Sequence, residues 1–160
     1  MPSISPESLH VVDVLPPAAD AAGRASDAVS LKFFAGVAIV EASITQGNAA
    51  PVALTLQQCT TVAGAGAKAL AAGVPIYASQ DVGGTAGDVL SRQTDGVAFT
   101  TNATVGRKTI RFVVPVATLD LAGGFDCLRL VTGPSAAGNI TSARVLLFPR
   151  FAPTRSARLD

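Results

Sequence analysis

Apolar and polar residues alternate along most of this chain. The clearest run is Val52-Ala53-Leu54-Thr55-Leu56-Gln57-Gln58, with Val52, Leu54 and Leu56 on one side and Ala53, Thr55 and Gln57 on the other. A period of two is that of a strand with one buried and one wet face. The same pattern predicts strands over Val29–Phe33, Val37–Thr45, Val97–Thr100, Thr109–Val116, Phe125–Val131 and Ile140–Phe148. In Thr109–Val116, Ile110, Phe112, Val114 and Val116 share a face, and Pro115 on the other marks an edge or a strand end. In Val37–Thr45, Ala38, Val40 and Ala42 share one face; Val37, Ile39 and Glu41 share the other.

Glycine and proline punctuate these runs. Gln46-Gly47-Asn48 and Gly133-Pro134-Ser135-Ala136-Ala137-Gly138-Asn139 read as turns between strands, and Val62–Leu70, with Gly64 and Gly66, as a loop. Residues 78–96, with Gly83, Gly84, Gly87 and Gly96, form the most loop-like internal segment. Thr118–Leu121 is expected to make one helical turn, ended by Gly123-Gly124. Residues 1–26 read as an N-terminal arm broken by Pro2, Pro6, Pro16 and Pro17. A short edge strand over Leu9–Leu15 and a brief helical turn over Ala18–Ala25 are expected within it. The β-domain is expected over 27–148 and a C-terminal arm over 149–160. About eight short strands separated by Gly/Pro turns define an all-β fold. An antiparallel β-sandwich or jelly-roll barrel would cover both sheets, where one open sheet would leave an apolar face bare.

The composition narrows the possible functions. The chain has 160 residues, 49% of them hydrophobic, but only 14% are charged and 5% aromatic. That length suits one domain with a self-sufficient core. The formal net charge of +1 is too small to steer the molecule onto nucleic acid or anionic lipid. No apolar run is long enough for a membrane-spanning helix, and Met1–Glu7 lacks the basic and apolar regions of a secretory signal. Cys59 and Cys127 read as small buried hydrophobes, with a disulfide as the alternative.

Few residues have the makings of a chemical site. His10 is the only histidine and lies in the Pro-flanked arm, so a histidine-centred triad has little to stand on. Gly64-Ala65-Gly66-Ala67-Lys68 lacks phosphate-loop spacing, with Ala69 where a Ser or Thr would hold magnesium. Asp81, Asp88 and Asp95 recur every seven residues, which matches no calcium loop. Asp120 and Asp126 are expected to cap turns. Arg107, Lys108 and Arg111 form one small basic cluster, and Arg144, Arg150, Arg155 and Arg158 another. Neither is dense enough for a DNA footprint. No catalytic, metal or cofactor site is expected, and no enzyme activity.

Three segments resemble a family of small virion proteins of tailed bacteriophages. They are Val52–Thr60 continuing into Val62-Ala63-Gly64-Ala65-Gly66-Ala67-Lys68-Ala69-Leu70, Leu119-Asp120 with Gly124–Leu130, and the closing strand that ends in Arg150-Phe151-Ala152. The resemblance spans roughly 29–152 and rests on strand and turn signatures. The chain departs from it over 70–96, where the family's aromatic residues are missing, and in the Pro-rich N-terminal arm. The resemblance implies a head-associated structural protein without enzymatic activity, made in the host bacterial cytoplasm and resident on the outer capsid surface.

The reading from sequence is therefore a capsid decoration (cement) protein that bridges capsomers. Its expected partners are the major capsid protein and further copies of itself, a homotrimer first and a dimer second, with no nucleic acid or membrane partner. Capsid contact is assigned to the arms: Leu9, Val11, Val12 and Val14 at the front, and Arg150, Phe151, Arg155 and Arg158 at the back. A head fibre or tail component is the alternative within the virion. A carbohydrate-binding module is the alternative outside it, though Tyr77 and seven Phe offer little for a stacking platform.

Overall fold

The computed structural model describes residues 9–32, 34–85 and 88–149. Twelve strands account for nearly all of its regular structure: β1 (His10–Ala19), β2 (Arg24–Ala25), β3 (Val29–Ser30), β4 (Phe34–Gln46), β5 (Ala53–Cys59), β6 (Lys68–Ala69), β7 (Ile76–Val82), β8 (Ser91–Arg92), β9 (Ala98–Thr100), β10 (Gly106–Pro115), β11 (Cys127–Thr132) and β12 (Asn139–Pro149). A 3-10 turn, Val116–Thr118, follows β10.

The strands form two antiparallel sheets. The front sheet runs β1-β12-β4-β10-β7-β8. The back sheet runs β2-β11-β5-β6, with β3 also on β11 and β9 also on β5. The pairings trace one long double strand: β1 pairs with β12, β2 and β3 with β11, β4 with β10, and β5 with β9. Rolling that ribbon brings β4 beside β12 and β5 beside β11. This is jelly-roll topology. The segment between β5 and β9 departs from it, adding β6 to the back sheet and the β7-β8 pair to the front.

The core fills the space between the sheets. Ala38, Val40, Ala42 and Ile44 of β4, Ile110, Phe112 and Val114 of β10, and Val145 and Leu147 of β12 face Leu54 and Leu56 of β5 and Leu128 and Leu130 of β11. Among the described residues Phe112 is the only fully buried aromatic, so small aliphatics on opposed faces do most of the filling. One end of the core is polar. Lys108, only 1% exposed, donates to the Gln80 carbonyl (3.2 Å) and to Asn102 Oδ1 (2.5 Å). Beside it, Gln46 donates to the Asn102 carbonyl and accepts from the Thr101 hydroxyl.

Several expectations change. From His10 onward the segment expected as an arm belongs to the body. Strand β1 runs past Pro16 and Pro17 to Ala19, because an edge strand tolerates residues that cannot donate on its outer side. No helical turn forms over Ala18–Ala25; the chain turns at Gly23 (φ 73°) into β2. A Cβ on Gly23 would lie 2.7 Å from the Thr132 carbonyl oxygen, so both the backbone twist and the close approach require glycine there. The strand expected over Val29–Phe33 shortens to β3, where the Leu31 amide turns to the Asp126 carbonyl. Residues 78–82, expected as loop, complete β7 against β10. The C-terminal arm from residue 150 lies outside the described residues.

Candidate interaction surfaces

Two surfaces stand out, and both belong to the front sheet. The first is its outer face. Strand register places side chains in rows that cross the sheet, because directly paired residues share a face. One row reads Asp13 (β1), Arg144 (β12), Glu41 (β4), Arg111 (β10), Tyr77 (β7) and Arg92 (β8), each paired with the next. On one side lies an apolar row of Val11, Leu146, Ile39 and Val113; on the other, a hydroxyl row of Ser142, Ser43, Thr109 and Ser79.

Glu41 anchors the charged row. It points away from the core yet is only 3% exposed, because an arginine from each neighbouring strand closes over it. Arg144 donates to Oε1 through Nε (2.8 Å) and Nη2 (2.5 Å), and Arg111 Nε donates to Oε2. Burial alone would raise the Glu41 pKa, but the hydrogen bonds and charges of Arg144 and Arg111 outweigh it and hold the carboxyl below its usual value. The side chains of Arg111 and Arg144 remain about half exposed (44% and 51%) while one buried carboxylate fixes their direction. At the far end, Arg92 pairs with Asp95 and sits 5.4 Å from the centre of the Tyr77 ring. At the near end, Leu15, Pro16, Pro17, Ser43, Ser142 and Arg144 line an open trough of about 470 Å³.

The second surface is the free edge of β1. Exposed strand edges invite pairing with another chain, and proteins usually blunt them. Here the remaining edge strands, β2, β3, β6, β8 and β9, are two or three residues long. The second half of β1 is closed by specific contacts. The Asp27 amide caps the Val14 carbonyl (2.9 Å), and Arg24 caps the carbonyls of Pro16 (2.9 Å) and Ala18 (2.9 Å). Arg24 is itself held by Asp20, which is fully buried and accepts from the hydroxyls of Thr132 and Thr141. No such closure covers His10–Asp13 among the described residues, and Val11 (51%) and Val12 (37%) are exposed there.

The expected contact residues therefore separate. Val11 and Val12 lie on the open edge and Leu9 just before it, but Val14 is 2% exposed and belongs to the core. Val14 follows outward-facing Asp13, so strand alternation points it at the core, and the bulge after it brings Leu15 inward as well; Val14 is therefore withdrawn as a contact residue. Arg150, Phe151, Arg155 and Arg158 lie outside the described residues. The basic cluster of Arg107, Lys108 and Arg111 divides, since the arginines face outward and Lys108 is buried, where desolvation lowers its pKa against the opposing pull of Asp81.

Other candidates have structural roles. Lys68 pairs with Asp120 (2.7 Å) and lies over the Phe125 ring (3.8 Å). Asp120 also caps the Gly123 amide, as expected of a turn residue. Asp88 accepts from the Gly83 amide. His10 packs edge-on against Phe34 with ring centres 5.8 Å apart. Cys59 and Cys127 are directly paired across β5 and β11, buried and unbridged. Glu41 carried a visible signal, a carboxylate inside an apolar strand, but its two arginine partners lie in distant segments and needed the strand register to be found.

Fold and surfaces together define a jelly-roll sandwich with a charged front face and, among the described residues, one open edge. No protein-family model and no curated protein matches the chain. Among solved structures it is similar to the SPBc2 prophage-derived protein YomS, with a TM-score of 0.50 at 8% identity over 87% of this chain and 91% of that one. It is also similar to the coat protein of tobacco streak virus (TM-score 0.33, 9% identity, 99% of each chain) and to a putative sugar binding protein from Bacteroides thetaiotaomicron (TM-score 0.34, 8% identity, 79% of this chain and 65% of that one). The likeness to YomS bears on fold alone. Among the described residues no helix is long and apolar enough to cross a membrane.

Proposed function

We propose that the chain is a structural protein of a bacteriophage particle, specifically a capsid decoration (cement) protein. It sits on the outer surface of the head and bridges capsomers of the major capsid protein without chemical turnover. The observation that carries this reading is the apolar edge at His10–Asp13, left open among the described residues on a body whose other described edges are short or capped. A closed sandwich with one accessible strand edge suits docking by strand addition, in which backbone groups supply affinity and alternate side chains supply specificity. The segment-by-segment resemblance to phage virion proteins supports the reading, as does a fold shared with a protein of prophage origin. Each contact can be weak, because many copies act on one shell. The C-terminal residues Arg150, Phe151, Arg155 and Arg158 are the second proposed grip.

Electron cryomicroscopy of purified particles tests this directly. Hundreds of copies on the head lattice are expected; a few copies at the tail or on a fibre would replace the cement reading, and absence from the particle would end it. Replacing Val11 and Val12 together by lysine should abolish co-sedimentation with heads that lack the protein. The melting temperature should fall by no more than a few degrees, since both side chains are exposed. Full binding by that variant would remove the edge from the mechanism.

A further inference from the structure

We infer that the outer face of the front sheet is a dimer interface that takes a second copy of this chain about a twofold axis lying along the strands between β4 and β10. A twofold interface must be complementary to itself, and the charged row meets that condition. Read from β1 to β8 it runs acid, base, acid, base, aromatic, base: Asp13, Arg144, Glu41, Arg111, Tyr77, Arg92. A half-turn about the stated line reverses this order. Asp13 then meets Arg92 of the second copy, Arg144 meets Tyr77, and β4 lies opposite β10, with Arg111 of one copy over the covered Glu41 position of the other. The Asp13–Arg92 pairing brings exposed opposite charges together and the Arg144–Tyr77 pairing sets a guanidinium over an aromatic ring, while Glu41 stays beneath its own two arginines and offsets their charge at the centre without touching the second copy.

Neighbouring axes fit less well. An axis on β4 sets Glu41 against Glu41 and Arg144 against Arg111. An axis on β10 sets Arg111 against Arg111 and Arg144 against Arg92. An axis between β12 and β4 opposes charges correctly but leaves Tyr77 and Arg92 with nothing opposite. The chosen rotation also keeps each flanking row at its own level. Ile39 comes opposite Val113 on the apolar side, and Ser43 opposite Thr109 on the hydroxyl side.

The dimensions suit a modest interface. Six strands span about 24 Å, and three rows span about 20 Å with their margins, or roughly 500 Å² of projected face per copy. That is at the low end for specific association, and the matched groups are partly exposed charges. The dimer is therefore weak and sensitive to salt. It requires no capsid, so its failure would leave the reading above intact. It also places the two open β1 edges at opposite margins of the pair, the arrangement a bridge between two neighbours needs.

Sedimentation velocity and light scattering of the purified protein, from about 1 to about 500 µM and at about 0.05 M and 0.5 M salt, should show a monomer–dimer equilibrium that weakens several-fold at the higher salt. The decisive variants are D13R and R92D. Both residues are exposed, and within one chain they are about 24 Å apart, at opposite edges of the sheet. They are made in a D95N background, which removes the carboxylate that holds Arg92 in its own chain. Each single charge reversal should weaken dimerisation roughly tenfold, and the double reversal should restore it to within about threefold, a rescue only a contact between chains can produce. Circular dichroism and thermal melts establish that every variant folds. A monomer at all concentrations, a trimer, single variants that dimerise like their parent, or a double variant no better than the singles would each overturn the proposal.

Discussion

Glu41 shows how a buried charge can be tied to an exposed function. Ion pairs of this kind add little net stability, because desolvation offsets the attraction and half-exposed arginines are screened by water. The lowered pKa still couples Glu41 to pH. Its contribution is complete above the unfolded value of 4.5 and is lost as pH falls through the lower folded value. Glu41→Gln should therefore reduce stability by about 1 kcal/mol at neutral pH, and the gap from the parent should close as pH falls below 4.5 and through the lowered folded value. Urea midpoints across that range measure it. The two thiols respond at the other end of the scale. Burial, reinforced by Asp126, pushes the Cys127 pKa up to about 11, and burial raises that of Cys59 against the pull of Arg129. A thiolate is the reactive species, so iodoacetamide at pH 8 should label the folded protein roughly a hundredfold more slowly than the unfolded chain. Comparable rates in the two states, followed by mass spectrometry, would mean that the β5–β11 pair opens readily.

Strand β1 is held in two unlike halves. Its C-terminal half is fastened by Arg24, which reaches Pro16, Ala18, Asp20 and the Thr141 carbonyl (2.5 Å) at once. Arg24→Met leaves the buried Asp20 without its cation and should cost about 3 kcal/mol. Amide exchange over Val14–Ala19 should quicken, and a companion Asp20→Asn change should recover part of the loss. Unchanged exchange would show that the strand is held by β12 alone. The elements were unevenly legible in the sequence. Strand β5 announces itself through Leu54 and Leu56, which alternate with wetter neighbours and are fully buried. Strand β10 does so through Ile110, Phe112 and Val114, with Pro115 at its end. Strand β7 hid its second half because Ser79, Gln80 and Asp81 are polar and the glycines after them suggest a loop; its pairing with β10 overrides that local preference. Val14 misled because the proline-rich segment reads as an arm: once β1 pairs with β12, alternation after outward-facing Asp13 turns Val14 to the core, and the bulge brings Leu15 in beside it. The Arg144–Glu41–Arg111 cluster was out of reach for a similar cause, since its members come from three strands whose registers no single segment encodes.

The whole molecule is organised by pairings between distant parts of the chain. The first strand pairs with the last, and both central strands of the front sheet have partners far away in sequence. Loop-closure entropy must be overcome before such contacts form, which slows folding relative to helical domains of the same size. Refolding by stopped-flow dilution should therefore take milliseconds to seconds; completion within microseconds would be inconsistent with this topology. The same first-to-last pairing has a practical use. His10 lies opposite Leu147 at one corner, while the hairpin between β11 and β12 turns at the far end, with Ala137 and Gly138 on the surface. A short linker could join the corner ends and new termini could open at Ala137, giving a permuted chain that presents grafted peptides away from the edge where the valines stand.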